Sequence, residues 1–273
     1  MVTRVERIAL GALIAFTALA VLGYATIGRH PSLIAGNPSA QLAYGTAFVF
    51  FARGQVLVAG AALFVVLVQR AKLAWLPAFV AIYCTSLASE LAGTSLGLPF
   101  GPYSYTEALG IKWFAHVPLL IPLSWFLMAV PSFAIAGLLS RSAIGRIAVG
   151  SVVLLSWDLA LDPAMSFATR YWVWGEKGPY YGMPWLNLFG WYVTGVALMS
   201  ILGALKSERW IAQLPMPWLT AFYIVNVGLA LGICAAAGLY WAVVASAIPM
   251  LFCIGALRRH RTVVASLAEA SAA

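Results

Sequence analysis

Charge is what this sequence has least of. Only 9% of its 273 residues are charged, while 63% are hydrophobic. A water-soluble domain of that size needs far more polar side chains to cover its surface, so a soluble globular fold is excluded. Cysteine is scarce too. Cys84, Cys234 and Cys253 each fall inside an apolar run and show no metal-ligand spacing. They exclude a disulfide framework and read as core-filling thiols. No phosphate-binding loop, dinucleotide fingerprint, HExxH motif or cysteine pair is present, and His30, His116 and His260 stand far apart. No metal and no cofactor is implied, so any chemistry must run on carboxylates, aromatics and water.

What the sequence has instead is apolar length. Mean hydropathy is +0.94. Runs of about 20 apolar residues recur, each enough to cross a hydrocarbon core of roughly 30 Å. Eight are predicted, at 8–28, 44–69, 73–97, 117–139, 147–169, 185–205, 217–238 and 240–257. The expected fold is all-α: a polytopic membrane bundle of about eight transmembrane helices. It forms a single domain over 1–260, with a short disordered cytoplasmic tail at 261–273. The first run is longer than the core of a signal peptide and is expected to be retained.

The net charge of +8 is spread between the runs rather than clustered, which argues against a nucleic-acid partner. It instead orients the bundle. One side collects Arg4, Arg7, Arg70, Lys72, Arg141, Arg146, Lys206, Arg209, Arg258, Arg259 and Arg261; the other receives only Arg29, Lys112, Arg170 and Lys177. That asymmetry predicts eight spans with both termini in the cytoplasm.

Four charges lie inside the spans: Arg53, Glu90, Asp158 and Asp162. Counting at 1.5 Å per residue puts all four in one layer, roughly 10 to 16 Å below the outer surface. Intramembrane charges mark function more often than architecture. Each acid also sits on a polar stripe: Ser86, Glu90, Gly93, Thr94 and Gly97 on one helix, Ser151, Asp158, Asp162, Ser166 and Thr169 on another. Such stripes face other helices or a cavity. Pro163 is expected to kink its helix between the two aspartates and to free the Leu159 carbonyl for a water. A structural ion-pair network around Arg53 is the alternative. One arginine cannot neutralise three carboxylates, however, so at least one acid is expected to stay protonated.

Two outer loops are dense in aromatics, "GLPFGPYSYTEALGIKWFAH" and "RYWVWGEKGPYYGMPWLN". They serve either as an interfacial belt or as a pocket lid. A faint repeat joins them to the acids. Glu90, Gly101-Pro102-Tyr103, Pro118 and Trp125 are echoed by Asp162, Gly178-Pro179-Tyr180, Pro184 and Trp191. Two such halves would face one central site.

Four motifs carry a family resemblance: Glu90 with "GTSLGLPFGPYSY", "VPLLIPLSW", "WDLALDP", and "YYGMPWLNLFGWY". Over residues 85–195 the chain resembles the integral-membrane carotenoid biosynthesis proteins that include the carotenoid 1,2-hydratases, or bisanhydrobacterioruberin hydratases. The resemblance implies a multi-pass enzyme of the inner (cytoplasmic) membrane, a hydro-lyase that adds water across the terminal 1,2 double bond of an acyclic carotenoid end. Its partners would be that lipid-soluble substrate, water, membrane lipids and other carotenoid-pathway enzymes. Residue roles come from the physical reading. Asp158, Asp162 and Glu90 are the candidate catalytic acids, with Arg53 as charge partner. Tyr103, Tyr105, Trp125, Trp174, Tyr180, Asn187 and Trp191 are the candidate substrate contacts. A proton-coupled transporter and a non-catalytic carotenoid-binding protein are the rival readings; the first needs polar access from both faces, the second needs no acids.

Overall fold

The structure, a computed structural model, describes residues 2–249 together with Leu251 and Gly255. Seven helices are long and apolar enough to cross a membrane among those residues, so the protein is an all-α polytopic bundle. They are α1 (Arg4–Gly23, continued by a π turn at Tyr24–Gly28), α2 (Pro38–Ala71), α3 (Leu76–Leu96), α4 (Leu120–Leu139), α5 (Ala143–Asp162), α6 (Trp185–Ala204) and, after the one-turn α7 (Glu208–Ile211), α8 (Met216–Ala237). A shorter apolar helix, Tyr240–Pro249, follows at the start of the eighth predicted span. The remainder of that span and the tail at 261–273 lie outside the described residues.

Local chemistry sets the helix ends. Thr3 and Glu6 form a reciprocal capping box that starts α1. Asn37 accepts the Ala40 N–H and Pro38 fills the first turn, so α2 begins six residues before the predicted apolar run. Ser142 caps α5 through the Gly145 N–H at 3.0 Å.

Helix α4 is the centre of the bundle, buried without a break from Trp125 to Ala136. Helix α5 packs against both α4 and α6, and α1 lies at the edge against α2 and α8. Cys234 is buried on α8 against the Ala160 carbonyl, 3.3 Å away. Cys84 is exposed on α3, contrary to its reading as a core thiol; a lipid-facing position suits a small apolar thiol equally well.

The loops between α3 and α4 and between α5 and α6 lie at one end and join there. Strand β1 (Tyr103–Tyr105) pairs antiparallel with β4 (Trp172–Trp174), in the register Tyr103 to Trp174 and Tyr105 to Trp172. A second small ribbon, β2 (Lys112–Trp113) with β3 (Val117–Pro118), closes the first loop. Glycines set how closely that loop seats. A Cβ on Gly93 of α3 would lie 2.8 Å from Phe100, and one on Gly190 of α6 would lie 2.5 Å from it. Residues 99–103 therefore wedge between α3 and α6, one turn from Glu90.

Candidate functional site

The strand pair decides what surrounds the acids. Side chains alternate along a strand, so Tyr103, Tyr105, Trp172 and Trp174 share one face. That face looks onto the ends of α3 and α5. Glu90 accepts hydrogen bonds from the Tyr103 hydroxyl, from the Tyr105 hydroxyl at 2.8 Å and from Trp125 Nε1 at 2.8 Å. Asp162 accepts from Ser166 Oγ at 2.7 Å and from Trp174 Nε1 at 3.0 Å. The Tyr103 and Trp174 rings are 5.2 Å apart, so the two acids are linked through two touching side chains.

Asp158 lies one turn deeper. Asn187 on α6 donates through Nδ2 to Asp158 Oδ2 at 2.8 Å and to Asp162 Oδ2 at 3.3 Å. With the NH₂ end turned to the two aspartates, one amide bridges both carboxyls. All four groups are buried: Glu90 is 4% exposed, Asp158 0%, Asp162 2% and Asn187 2%.

Three of the four border a cavity of about 510 Å³. Glu90, Asp162 and Asn187 reach its wall at one end, among Tyr103, Tyr105, Trp125, Trp172, Trp174 and Trp191. The other end is apolar and runs between α1, α2 and α8. Trp125 and Trp191 stack with centroids 4.0 Å apart, and Trp157 meets Trp191 edge-on. The equivalent tryptophans of the repeat thus touch at the centre. Its loops correspond differently from the sequence pattern, however. The strand matching β1 is Trp172–Trp174, which precedes the second Gly-Pro-Tyr instead of containing it.

Four expectations change. Arg53 does not join the acids: its Nε donates to the Ala108 carbonyl at 2.9 Å and its Nη2 to the Glu107 carbonyl at 3.1 Å. Its fork of donors pins the short 3₁₀ turn Glu107–Leu109 beneath the first loop. No lysine or arginine stands within ion-pair distance of Glu90, Asp158 or Asp162 among the described residues. Asp158 is off the cavity wall, shielded by Asn187. Tyr180 is off the wall as well, because its hydroxyl donates to the Leu159 carbonyl at 2.8 Å. That carbonyl is the one Pro163 frees, so a phenol takes the place expected for a water. Finally, α5 continues through both aspartates, and the break is a π turn over Pro163–Ala168, beyond them. Proline removes a hydrogen bond one turn back, and the Tyr180 hydroxyl satisfies the carbonyl it frees while the wider turn follows.

Trp172 and Tyr171 on the wall escaped the sequence reading. The alternating triplets Tyr-Ser-Tyr and Trp-Val-Trp carried the signal, since period two in a short aromatic segment marks a strand. Burial raises the Tyr103 and Tyr105 phenols well above the ordinary value of 10.0, and the neighbouring Glu90 carboxyl adds to the shift. Both therefore remain neutral donors at physiological pH.

Residues 51–253 match the model of a family described as "Carotenoid biosynthesis protein". A protein of Haloarcula japonica named "Bisanhydrobacterioruberin hydratase" is 31% identical over 172 residues, covering 62% of this chain and 54% of that relative. The chain thus spans about half the length of that relative. No solved structure matches.

Proposed function

The chain belongs to the family of carotenoid biosynthesis proteins, and from that premise we propose that it hydrates the terminal 1,2 double bond of an acyclic carotenoid end group. One observation carries this reading: two buried carboxyls, Glu90 and Asp162, stand without a cation among the described residues at the closed end of a predominantly apolar cavity. The hydratase name of the Haloarcula relative points the same way.

The chemistry needs little else. A carboxylic acid at Asp162 delivers its proton to carbon 2 of the double bond, and the positive charge falls on the tertiary carbon 1. Water bonds to carbon 1 through oxygen, and its surplus proton passes to the Glu90 carboxylate. The proton returns from Glu90 to Asp162 across the shared cavity before the next turnover, so one water is consumed and no electrons change hands. General acid and base groups placed this way contribute roughly 10²–10⁴-fold each. The tryptophan faces at the closed end stabilise the transient cation. Asn187 orients the water from the cavity wall, where its NH₂ is held by the two aspartates. Asp158 acts through Asn187 as a positioning residue. With both termini cytoplasmic, the site lies in the outer half of the cytoplasmic membrane.

The test is direct. Full-length protein produced in lycopene-accumulating cells should convert lycopene to a tertiary alcohol heavier by one water, labelled when the medium contains ¹⁸O-water. Folded, membrane-inserted protein that leaves lycopene unchanged would overturn the reading. Proton flux into vesicles without pigment turnover would favour transport.

A further inference from the structure

The cavity is sealed at one end and open at the other. At the carboxyl end, Glu90, Trp125, Asp162 and Asn187 are each no more than 4% exposed. At the far end the wall includes Leu19 and Ile27 of α1 and its π turn, with Ala40, Ala43 and Ala47 of α2. Leu19 and Ala43 are exposed, so the cavity reaches the surface there. The rim is apolar: Leu19, 56% exposed, stands there with Ile27, Ile34, Ala40 and Ala43. In a polytopic bundle, such a rim meets hydrocarbon chains rather than water.

Aromatic rings connect the two ends. Tyr44 beside the mouth is 6.4 Å from Phe48, and Phe48 is 5.3 Å from Tyr171. The next residue, Trp172, is 5.9 Å from Tyr105, which is 5.4 Å from Tyr103 and hydrogen-bonds Glu90. The rail runs from lipid to acid.

We propose that this is a side-entry, end-on site for a rigid conjugated isoprenoid. The chain enters from the bilayer between α1 and α2, lies along the aromatic rail and stops with its terminal double bond at Glu90 and Asp162. The rest of the polyene stays in lipid. A conjugated chain cannot fold back on itself, so only a terminus reaches the bottom of a closed tunnel. The closed end is therefore the ruler that selects the terminal bond. A molecule with two identical ends must leave and re-enter reversed to be modified twice. The identity of the reacting group rests on the hydratase reading; the threading rests on the cavity.

Purified full-length protein in lipid nanodiscs separates the two. Lycopene is the long probe, followed by its retention and visible absorption. Citronellol, a short alcohol with the same terminal isopropylidene group, is the control. Ala43→Trp on the exposed rim and Ala47→Trp one turn deeper narrow the mouth. Lycopene retention should fall about tenfold or more in each, equivalent to about 1.4 kcal/mol. The ratio of lycopene to citronellol turnover should fall with it, and wild type should release singly hydrated lycopene before any doubly hydrated product. Unchanged retention in both variants, no retention by wild type, or a doubly hydrated first product would each overturn the proposal. If wild type retains lycopene and hydrates neither probe, the hydratase reading fails while the mouth variants still judge the threading.

Discussion

Glu6 and Glu90 are both buried carboxyls on long apolar helices at opposite ends of the bundle, yet the protein answers them differently. Glu6 meets a cation: Arg70 reaches it from α2 with bonds of 2.6 and 2.9 Å, and its backbone carbonyl takes Trp218 Nε1 from α8. Among the described residues, Glu90 and Asp162 meet only neutral donors: phenols, indoles, a hydroxyl and an amide. An ion pair fixes a charge and ties two helices, and the Trp218 bond adds a third. Neutral donors fix the position of a carboxyl while leaving its proton exchangeable, and only the second arrangement suits acid-base work.

Breaking this contrast starts with the acids. Asp162→Asn and Glu90→Gln keep shape and polarity, so each variant should insert and fold while hydration of lycopene falls about a hundredfold or more. Hydroxycarotenoid formed per unit of folded protein measures it, and near-normal turnover in both would remove the distinction between the two ends.

A smaller loss is expected at the bridge. Asn187→Leu leaves two carboxyls without their shared donor and should lower turnover about tenfold, roughly the cost of one buried hydrogen bond to a charged group. Asp158→Asn should match it if Asp158 works through Asn187, and the solvent-isotope and pH profiles of the residual activity should move in parallel. A profile shifted in one variant alone would make Asp158 a separate actor.

Glu6→Gln should do the reverse. Thermal unfolding in detergent should shift down by several degrees, on the order expected for weakening a buried ion pair. Specific activity of the surviving protein should stay within about twofold, the ordinary scatter of a change far from the chemistry.

The smallest effect is spectroscopic. The Tyr103 and Tyr105 phenols are raised well above 10.0. Ultraviolet titration should therefore show no phenolate from them as pH passes 10, and the Tyr103→Phe/Tyr105→Phe double variant should lose no absorbance there. Any stabilisation from these neutral phenols is complete below the ordinary tyrosine value and lost only as pH rises beyond it. A loss of absorbance near 10 would mean that Glu90 does not face protonated phenols.

The spans were legible because apolar length and helix period are local properties. Six of the first seven predicted starts fall within about four residues of the observed helices, inside the usual uncertainty of helix ends. The seventh, α2, was extended by its cap at Asn37. The three acids were legible because a carboxyl in an apolar run is conspicuous. What separates them was not. Asp158 and Asp162 look alike in sequence, and only Asn187, 29 and 25 residues away, puts one behind an amide and leaves the other on the wall. Arg53 shared the depth of the acids but not their direction. Its neighbours Ala52 and Gln55 face the cavity, while its own turn of α2 points to the loop carbonyls of residues 107 and 108.

The sequence by itself determined a membrane-spanning helical bundle, the layer that holds its carboxyls and the aromatic segments beside them. Hydropathy, period and charge asymmetry act within a few residues, so no partner was needed to read them. The tertiary structure alone decided which aromatics meet which acid. Pairing Tyr103–Tyr105 with Trp172–Trp174 joins segments nearly seventy residues apart. It likewise gave Glu6 its arginine from 64 residues away and gave Glu90 none among the described residues. Long-range pairing depends on how the helices pack, and no local pattern encodes that.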